Sequence, residues 1–170
     1  MSKSYLSLEH YWFDFIEIRS RMNCDPVKEM LKDDYDHSIG FDMHRIDEHN
    51  TFMIPLRIEF KWKKATNSPY ELIDIGLCGV FSLPEEMEEE AARKYVPLLC
   101  LTNLYGIARG VISQMTANFP FGPFLMPLIN MNDVVENAIK NKSEEQAEKK
   151  GKSTGKRSVT TGAKSVKKKK

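Results

Sequence analysis

The clearest pattern in the chain is an alternation of apolar and polar positions over residues 51–62. An apolar side chain stands at every second position, which places the apolar set on one face of a β-strand. These residues are Phe52, Ile54, Leu56, Ile58, Phe60 and Trp62. Pro55 has no N–H to give to a ladder, so we expect an edge, a bulge or an outward-facing position there.

Further alternating segments predict more strands. Residues 8–19 are rich in aromatic and β-branched residues, and strict alternation puts Phe13 and Phe15 on the face opposite Ile16 and Ile18. The predicted strands span residues 8–19, 38–46, 51–62 and 71–82, with a crossover loop over residues 20–37. Loops of modest length between most of these strands predict an antiparallel sheet.

The second half of the chain has the period of α-helices. Apolar residues recur at three- and four-residue steps, and they are Leu101, Leu104, Tyr105, Ala108, Val111, Ile112 and Met115. A short helix over residues 84–95 should precede this one and end at Val96 and Pro97. Asn132 or Asp133 can cap a last helix over residues 132–141. Strands followed by helices predict an α+β fold, a four-stranded antiparallel sheet with helices packed on one face.

An apolar segment that cannot be helical lies between the last two helices. Pro120, Pro123 and Pro127 fix the backbone and remove donors, and Gly122 loosens the chain between them. The segment nevertheless carries the apolar residues Phe119, Phe121, Phe124, Leu125, Met126, Leu128 and Ile129. We call residues 119–130 the proline arm, and we expect the earlier strands to supply a surface for it.

The helix motif LYGIARGVIS and the arm motif FGPFLMPLINMNDVV resemble the SecB family of protein-export chaperones, which includes members associated with toxin–antitoxin systems. The matching residues are Tyr105, Ala108 and Arg109 in the helix and Pro123, Leu125, Pro127, Asn130 and Asp133 in the arm. Met131 and Gly122 depart from the usual Phe and Pro. The resemblance implies a SecB-like fold, a homotetramer built as a dimer of dimers, and a chaperone domain over residues 1–141.

The net charge of +1 hides an asymmetry along the chain. From Lys140 onward there are 12 Lys and Arg against 3 Glu, a net of +9, which leaves 13 basic against 21 acidic residues, a net of −8, before it. Residues 142–170 are polar and rich in Lys, which predicts a disordered basic tail. An acidic body argues against a nucleic-acid-binding core and favours unfolded or basic partners.

No arrangement of residues predicts an enzyme. The chain has no GxSxG, HExxH, Walker or Rossmann motif, and no cofactor is implied. His44 and His49 have a conceivable metal spacing, although polar turns are common, so we expect no metal site. An odd number of cysteines without a CxxC pair, no secretory signal and no run of 18 apolar residues favour a reducing cytoplasm and no transmembrane segment.

The apolar surplus of strands and arm is the feature that most indicates function. It needs either an oligomer interface or an extended partner, and adaptable Met and aromatic side chains suit unrelated unfolded polypeptides. Because no nucleotide motif is present, we expect an ATP-independent holdase chaperone. With the resemblance, which implies grooves lined by the crossover, helix and arm, the expected peptide-binding residues are Tyr35, Phe41, Phe119, Phe121, Phe124 and Met126.

The resemblance also implies a partner, the Sec motor ATPase, which would accept preproteins for the Sec translocase. The family docks this motor on an acidic, partly apolar sheet patch, where Leu72 and Asp74 match two positions. Phe15 and Arg19 stand where acidic residues would be expected. Two alternatives therefore stay open: a dedicated SecB-like chaperone of an antitoxin, and a nucleic-acid-binding adaptor that uses the basic tail.

Overall fold

The computed structural model describes residues 6–21, 35–46, 51–63, 68–83, 89–119 and 121–140, with the backbone alone for 89–94. The chain divides into one unit over Met1–Val134 and a second over Val135–Lys170, whose described residues, 135–140, are helical. The predicted tail over 142–170, His49 and most of the predicted crossover lie outside the described residues.

The first unit contains a five-stranded antiparallel sheet, which confirms the predicted fold class. Its strands are β1 (Ser7–Ser20), β2 (Tyr35–Phe41), β3 (His44–Arg45), β4 (Thr51–Trp62) and β5 (Tyr70–Ser82). Their order is β1-β5-β4-β2, and β3 also pairs with β4. Among the described strands, β1 therefore forms one edge of the sheet, and β2 with β3 forms the other.

Pro55 explains why β2 and β3 are separate. Phe41 pairs with Leu56 and His44 pairs with Met53, so the register continues across the gap without an inserted residue. Pro55 lies opposite the gap and cannot donate its share of the ladder. The missing donor thus divides one edge strand in two, while Pro55 itself lies in the interior strand β4.

A bulge at Asp14 corrects the predicted faces of β1. Phe13 pairs with Leu77 and Phe15 pairs with the adjacent Gly76, so Asp14 is an extra residue. Ile16 pairs with Ile75, which has the same face as Leu77. Ile16 therefore shares its face with Phe13, and the prediction from strict alternation was wrong beyond the bulge.

The core lies between the sheet and helix α1 (Glu89–Thr116). We call this side of the sheet the helix face and the opposite side the outer face. The helix face supplies the almost fully buried residues Ile54, Leu56, Ile58, Phe60, Ile73, Ile75, Leu77 and Phe81, and α1 supplies Leu101, Leu104, Ala108 and Ile112. Burial of each Leu, Ile or Phe side chain in this set stabilises the fold by roughly 1.5–3 kcal/mol.

Helix α1 continues through Pro97, so the predicted break was wrong. A proline inside a helix costs about 3 kcal/mol, but Val96, Cys100 and Leu101 around it are all buried and hold the helix on the sheet. The predicted stripe is also wrong at its end, because Met115 is 45% exposed and Thr116 is fully buried.

The stretch Tyr95–Thr116 of α1 is long and apolar enough to cross a membrane by length and composition, and an 18-residue window within it has a mean hydropathy of 1.3. A helix that covers a sheet requires the same composition on its buried stripe. Of the 18-residue window, 44% is buried in the structure. The packing on the sheet therefore accounts for its apolar content.

A second helix covers residues 131–140. The side-chain oxygen of Asn130 accepts the N–H of Asn132 at 3.2 Å, and the carbonyl of Asn130 accepts the N–H of Val134. Asn130 is thus the N-cap, two residues before the earlier of the two predicted caps.

Candidate functional site

The proline arm is attached to α1 by side chains that hold its backbone. The hydroxyl of Tyr105 donates to the carbonyl of Pro127 at 2.9 Å. Nε of Arg109 donates to the carbonyl of Met126 at 3.0 Å. Residues 122–130 form no regular secondary structure, so these donors satisfy carbonyls that a helix or sheet would otherwise satisfy.

The start of the arm is held by β5 and the end of α1. The hydroxyl of Tyr70 donates to the carbonyl of Gly122 at 3.2 Å, and the hydroxyl of Thr116 accepts the N–H of Phe124 at 2.7 Å. Gly122 has φ 77°, in the left-handed region that glycine favours. A proline, with φ fixed near −65°, could not adopt this backbone, so the departure from the family motif has a structural cause.

Aromatic rings from β2, β4, β5 and the arm meet in one cluster. The ring of Phe124 lies 5.7 Å from Phe60, 5.4 Å from Trp62 and 5.6 Å from Tyr70, between centroids. The ring of Tyr35 lies 5.5 Å from Phe60 and 5.4 Å from Trp62. We call this the aromatic cluster; its members are Tyr35, His37, Phe60, Trp62, Tyr70, Phe119 and Phe124.

The structure brings some of the predicted peptide-binding residues together. Tyr35, Phe119 and Phe124 are in the aromatic cluster, whereas Phe41 is at the other end of β2, about 20 Å from Tyr35 at 3.3 Å per residue. Phe119 and Phe121 are half-buried, as are Tyr35 and Phe41. Phe124 is only 4% exposed and Met126 only 1% exposed. The half-buried residues have surface for a ligand, whereas the two buried ones anchor the arm to the core.

The outer edge of β2 has a backbone that no described strand pairs with. The N–H of Asp42 donates to the carbonyl of Pro55, which sets the phase of the ladder. Counting back from Asp42, every second residue of β2 forms backbone hydrogen bonds with β4. The residues that alternate with these direct their N–H and C=O groups away from β4. The outward residues are Tyr35, His37, Ile39 and Phe41, and their side chains lie on the helix face because their partners in β4 do.

The sequence pattern indicated Trp62 only as an apolar strand position, but its indole also carries an N–H donor. Trp62 is 3% exposed, and among the described residues its Nε1 has no hydrogen-bond partner. Burial in the same region raises the pKa of the Tyr35 hydroxyl above its ordinary value, and likewise that of Tyr70. The region around Trp62 is therefore poorly solvated, and its indole N–H is a buried donor without a described partner.

The predicted partner patch lies on the outer face. Asp74 is 5% exposed and accepts hydrogen bonds from Nε and Nη2 of Arg57, at 3.0 and 2.7 Å. This bidentate pair raises the pKa of Arg57. Leu72 beside it is half-buried. The acidic group predicted to attract a partner is thus already engaged by a guanidinium.

Neighbouring residues give the outer face an aromatic and mixed-charge surface. The ring of Phe15 lies over Gly76, where an added Cβ would be 2.4 Å from it, and 5.8 Å from the guanidinium of Arg57. Arg19 forms an ion pair with Glu17 at 2.6 Å. Both positions lack the acid that the resemblance leads one to expect, as the sequence indicated.

The two described cysteines are buried and free. Burial raises the pKa of the Cys100 thiol to about 12 and also raises that of Cys78. Within the described ranges, no group of three His, Cys, Asp or Glu side chains could hold a metal ion. These thiols have the properties of core packing groups and not of nucleophiles.

Comparison with known proteins shows which family this chain is similar to. Residues 25–142 match the family described as preprotein translocase subunit SecB. Protein-export protein SecB from Anaplasma marginale, strain Florida, is 34% identical over 62 residues, which are 36% of this chain and 35% of the relative. The protein of the same name from strain St. Maries gives the same values. The match spans about a third of the length of these relatives.

A solved structure has a similar fold. It is the SecB-like chaperone of Mycobacterium tuberculosis in complex with a ChAD peptide from the HigA1 antitoxin. The TM-score is 0.52 with 11% sequence identity, over 74% of this chain and 91% of that chain. At this identity the likeness concerns the fold alone.

Proposed function

This chain belongs to the SecB family, and we propose that it is an ATP-independent holdase chaperone of the cytoplasm that binds unfolded polypeptides. The observation that carries this proposal is the position of the aromatic cluster beside the outer edge of β2, which pairs with no other described strand. Tyr35 belongs to both, because its ring contacts the cluster and its backbone groups face outward from β2.

The two features bind different parts of an unfolded chain. Outward N–H and C=O groups along β2 can pair with any extended backbone, whatever its sequence. Half-buried rings such as Phe119 and Phe121 offer apolar contact to aromatic or aliphatic side chains. Each Å² of buried apolar surface contributes about 25 cal/mol, reduced by the cost of ordering the client, so affinity accumulates from many weak contacts without nucleotide hydrolysis.

The proposal includes a homotetramer, as the family resemblance implies. Tyr95 and Leu99 lie one turn apart on the solvent side of α1 and are 49% and 43% exposed. Such a surface on a core helix fits contact with a second copy. Light scattering of the purified full chain tests this, and a monomeric mass would contradict it.

Suppression of aggregation tests the holdase. Phe121→Asp alters a half-buried ring of the proline arm and Tyr35→Ser a half-buried ring of the aromatic cluster, and Phe15→Ser is the control because it removes an exposed ring from the outer face. We expect the first two to suppress light scattering by a denatured client less well than the wild type, and the control to match it. Phe124→Asp is not suitable, because a charge at a 4% exposed position disrupts folding.

Two outcomes would contradict the assignment. Soluble tetramers of Phe121→Asp and Tyr35→Ser with full activity would show that clients bind elsewhere. Loss of activity only in Phe15→Ser would place the binding surface on the outer face.

We further propose that the client is handed to a dedicated partner, with the Sec translocase and its motor ATPase as the first candidate. The name shared by the Anaplasma relatives, protein-export protein SecB, supports this candidate. The engaged carboxylate of Asp74 and the residues Phe15 and Arg19 weigh against docking by the family's acidic patch.

The alternative to export is that the chain serves one dedicated client, an antitoxin. The fold neighbour from Mycobacterium tuberculosis is in complex with an antitoxin peptide, and a dedicated client would not require the motor patch. Pull-down of the motor ATPase by the full chain would favour export. Binding of an antitoxin encoded beside the gene, without motor binding, would favour the second candidate.

A further inference from the structure

Trp62 holds the one buried side-chain polar atom that lacks a hydrogen-bond partner in the part of the chain that the structure describes. A buried N–H without an acceptor opposes folding, because the donor has lost its water and gained nothing in return. Phe at the same position would fill much of the space without this penalty. An unused donor beside the proposed client site therefore calls for a ligand.

The neighbours of Trp62 offer ring surfaces instead of an acceptor oxygen. Its ring lies 5.4 Å from Tyr35, 5.4 Å from Phe124 and 5.8 Å from Tyr70. Phe124 stands at 76° to the indole, so aromatic rings surround a donor that has no described acceptor. Even an N–H···π contact to one of these rings would be weaker than a bond to a carbonyl, so a client carbonyl is the stronger acceptor.

Tyr35 separates this donor from the open edge of the sheet. Tyr35 and Trp62 are directly paired between β2 and β4. They form a non-hydrogen-bonded pair, counted from the Asp42–Pro55 bond, so their side chains are close together. Tyr35 is half-buried and belongs to the edge strand. Rotation of its ring toward solvent would uncover the indole to a chain lying along β2.

We propose that Nε1 of Trp62 donates a hydrogen bond to a backbone carbonyl of the bound client, reached when the Tyr35 ring swings aside. This rests on the proposed function, since it requires an extended polypeptide at the β2 edge. A backbone carbonyl is the acceptor that every client carries at regular spacing. The bond thus adds affinity without adding sequence preference, as a holdase for unrelated chains requires.

Two matched substitutions test the bond. Trp62→Phe removes the buried donor, and Trp12→Phe makes the same chemical change on the outer face, where the indole is 42% exposed and donates to Asp14 at 2.9 Å. The probe is a terminally blocked, fluorescently labelled peptide of Leu, Phe, Ala and Lys, whose side chains offer no acceptor. We expect Trp62→Phe to bind it about tenfold more weakly by anisotropy, and Trp12→Phe to match the wild type.

A second measurement leaves Trp62 in place. In the Trp12→Phe variant Trp62 is the sole tryptophan, so its ¹⁵N-labelled indole gives a single resonance. We expect the indole proton to move downfield and to exchange more slowly with water when the peptide is saturating.

The outcomes separate this inference from the proposed function. Equal peptide affinity in Trp62→Phe and Trp12→Phe, or an indole resonance that saturating peptide leaves unmoved, would overturn the donor role while the holdase stands. Failure of the wild type to bind the peptide and to suppress aggregation would overturn both.

Discussion

The hydroxyl of Thr116 joins the end of α1 to the proline arm by accepting the N–H of Phe124 at 2.7 Å. The same hydroxyl donates to the carbonyl of Ile112 at 2.7 Å, and Thr116 is fully buried. One side chain thus ends the helix and fixes the point at which Phe124 enters the aromatic cluster.

Thr116→Val should therefore destabilise the chain although it keeps the size and shape of the side chain. The change leaves the buried N–H of Phe124 without an acceptor, which costs about 1–3 kcal/mol. The unfolding free energy from urea titration measures the effect. Thr116→Ser, which keeps the hydroxyl, is the control and should lose clearly less; equal losses would mean that the methyl group and not the hydrogen bond matters.

Gly79 is needed where Leu104 of α1 packs against β5. A Cβ at this position would be 2.7 Å from Leu104 and 2.8 Å from Phe81. Both neighbours are fully buried, so a shift of either ring or side chain disturbs the packing around it. Gly79→Ala should lower the unfolding free energy by about 1–3 kcal/mol.

Gly40→Ala is the matched control for that change. Gly40 is also in a strand, but a Cβ there meets nothing within 4 Å. We expect this variant to be neutral or slightly stabilising, because alanine loses less backbone entropy on folding than glycine. If both variants lost the same stability, strand propensity and not helix–sheet packing would set the cost.

The sequence predicted β4 completely because one of its faces is buried and the other is not. The alternation of apolar and polar residues then shows which face each side chain occupies, and the predicted strand over residues 51–62 is the one in the structure. The same rule was wrong in β1, because one inserted residue at Asp14 reverses every later side chain. A polar residue at the strand surface gives no signal that distinguishes a bulge from regular pairing.

The candidate site was predicted in part for a similar reason. Aromatic residues of the arm indicated an apolar surface, and Tyr35 and Phe119 are in the cluster. The donor of Trp62 could not be predicted, since whether an indole N–H has a partner depends on residues distant in the sequence. The spacing of Tyr105 and Arg109 by one helical turn was the visible sign of the two donors that hold the arm.

The buried cysteines predict resistance to alkylation in the native state. The ordinary pKa of 9.0 is raised to about 12 for Cys100, which lowers the thiolate fraction at pH 8 about a thousandfold. Burial, followed by the negative charge of Asp14, raises the pKa of Cys78. Iodoacetamide should therefore label neither residue at pH 8 until urea unfolds the chain.

Peptide mapping by mass spectrometry resolves the two cysteines from Cys24, which lies outside the described residues. The urea-unfolded chain, in which both thiols are exposed, is the control for intrinsic reactivity. Native labelling of Cys100 at the unfolded rate would mean that α1 separates from the sheet without global unfolding.

Tyr105 should make the arm sensitive to alkaline pH. Burial raises the pKa of its hydroxyl above the ordinary 10.0, so the folded state keeps the proton while the unfolded state loses it. The contribution to stability is thus fully present below pH 10 and declines as the pH rises toward the folded pKa. Below pH 10 the hydroxyl also keeps its bond to Pro127, worth about 1 kcal/mol.

Tyr105→Phe separates these effects. At pH 8 the variant should be less stable than the wild type by about 1 kcal/mol in urea titration, because the carbonyl of Pro127 loses its donor. At pH 11, ionisation of Tyr105 in the unfolded wild type removes up to about 1.4 kcal/mol, so the difference should close. Tyr11→Phe, at a side chain 50% exposed, controls for general alkaline destabilisation. A constant difference between wild type and Tyr105→Phe from pH 8 to 11 would mean that Tyr105 ionises equally readily in both states.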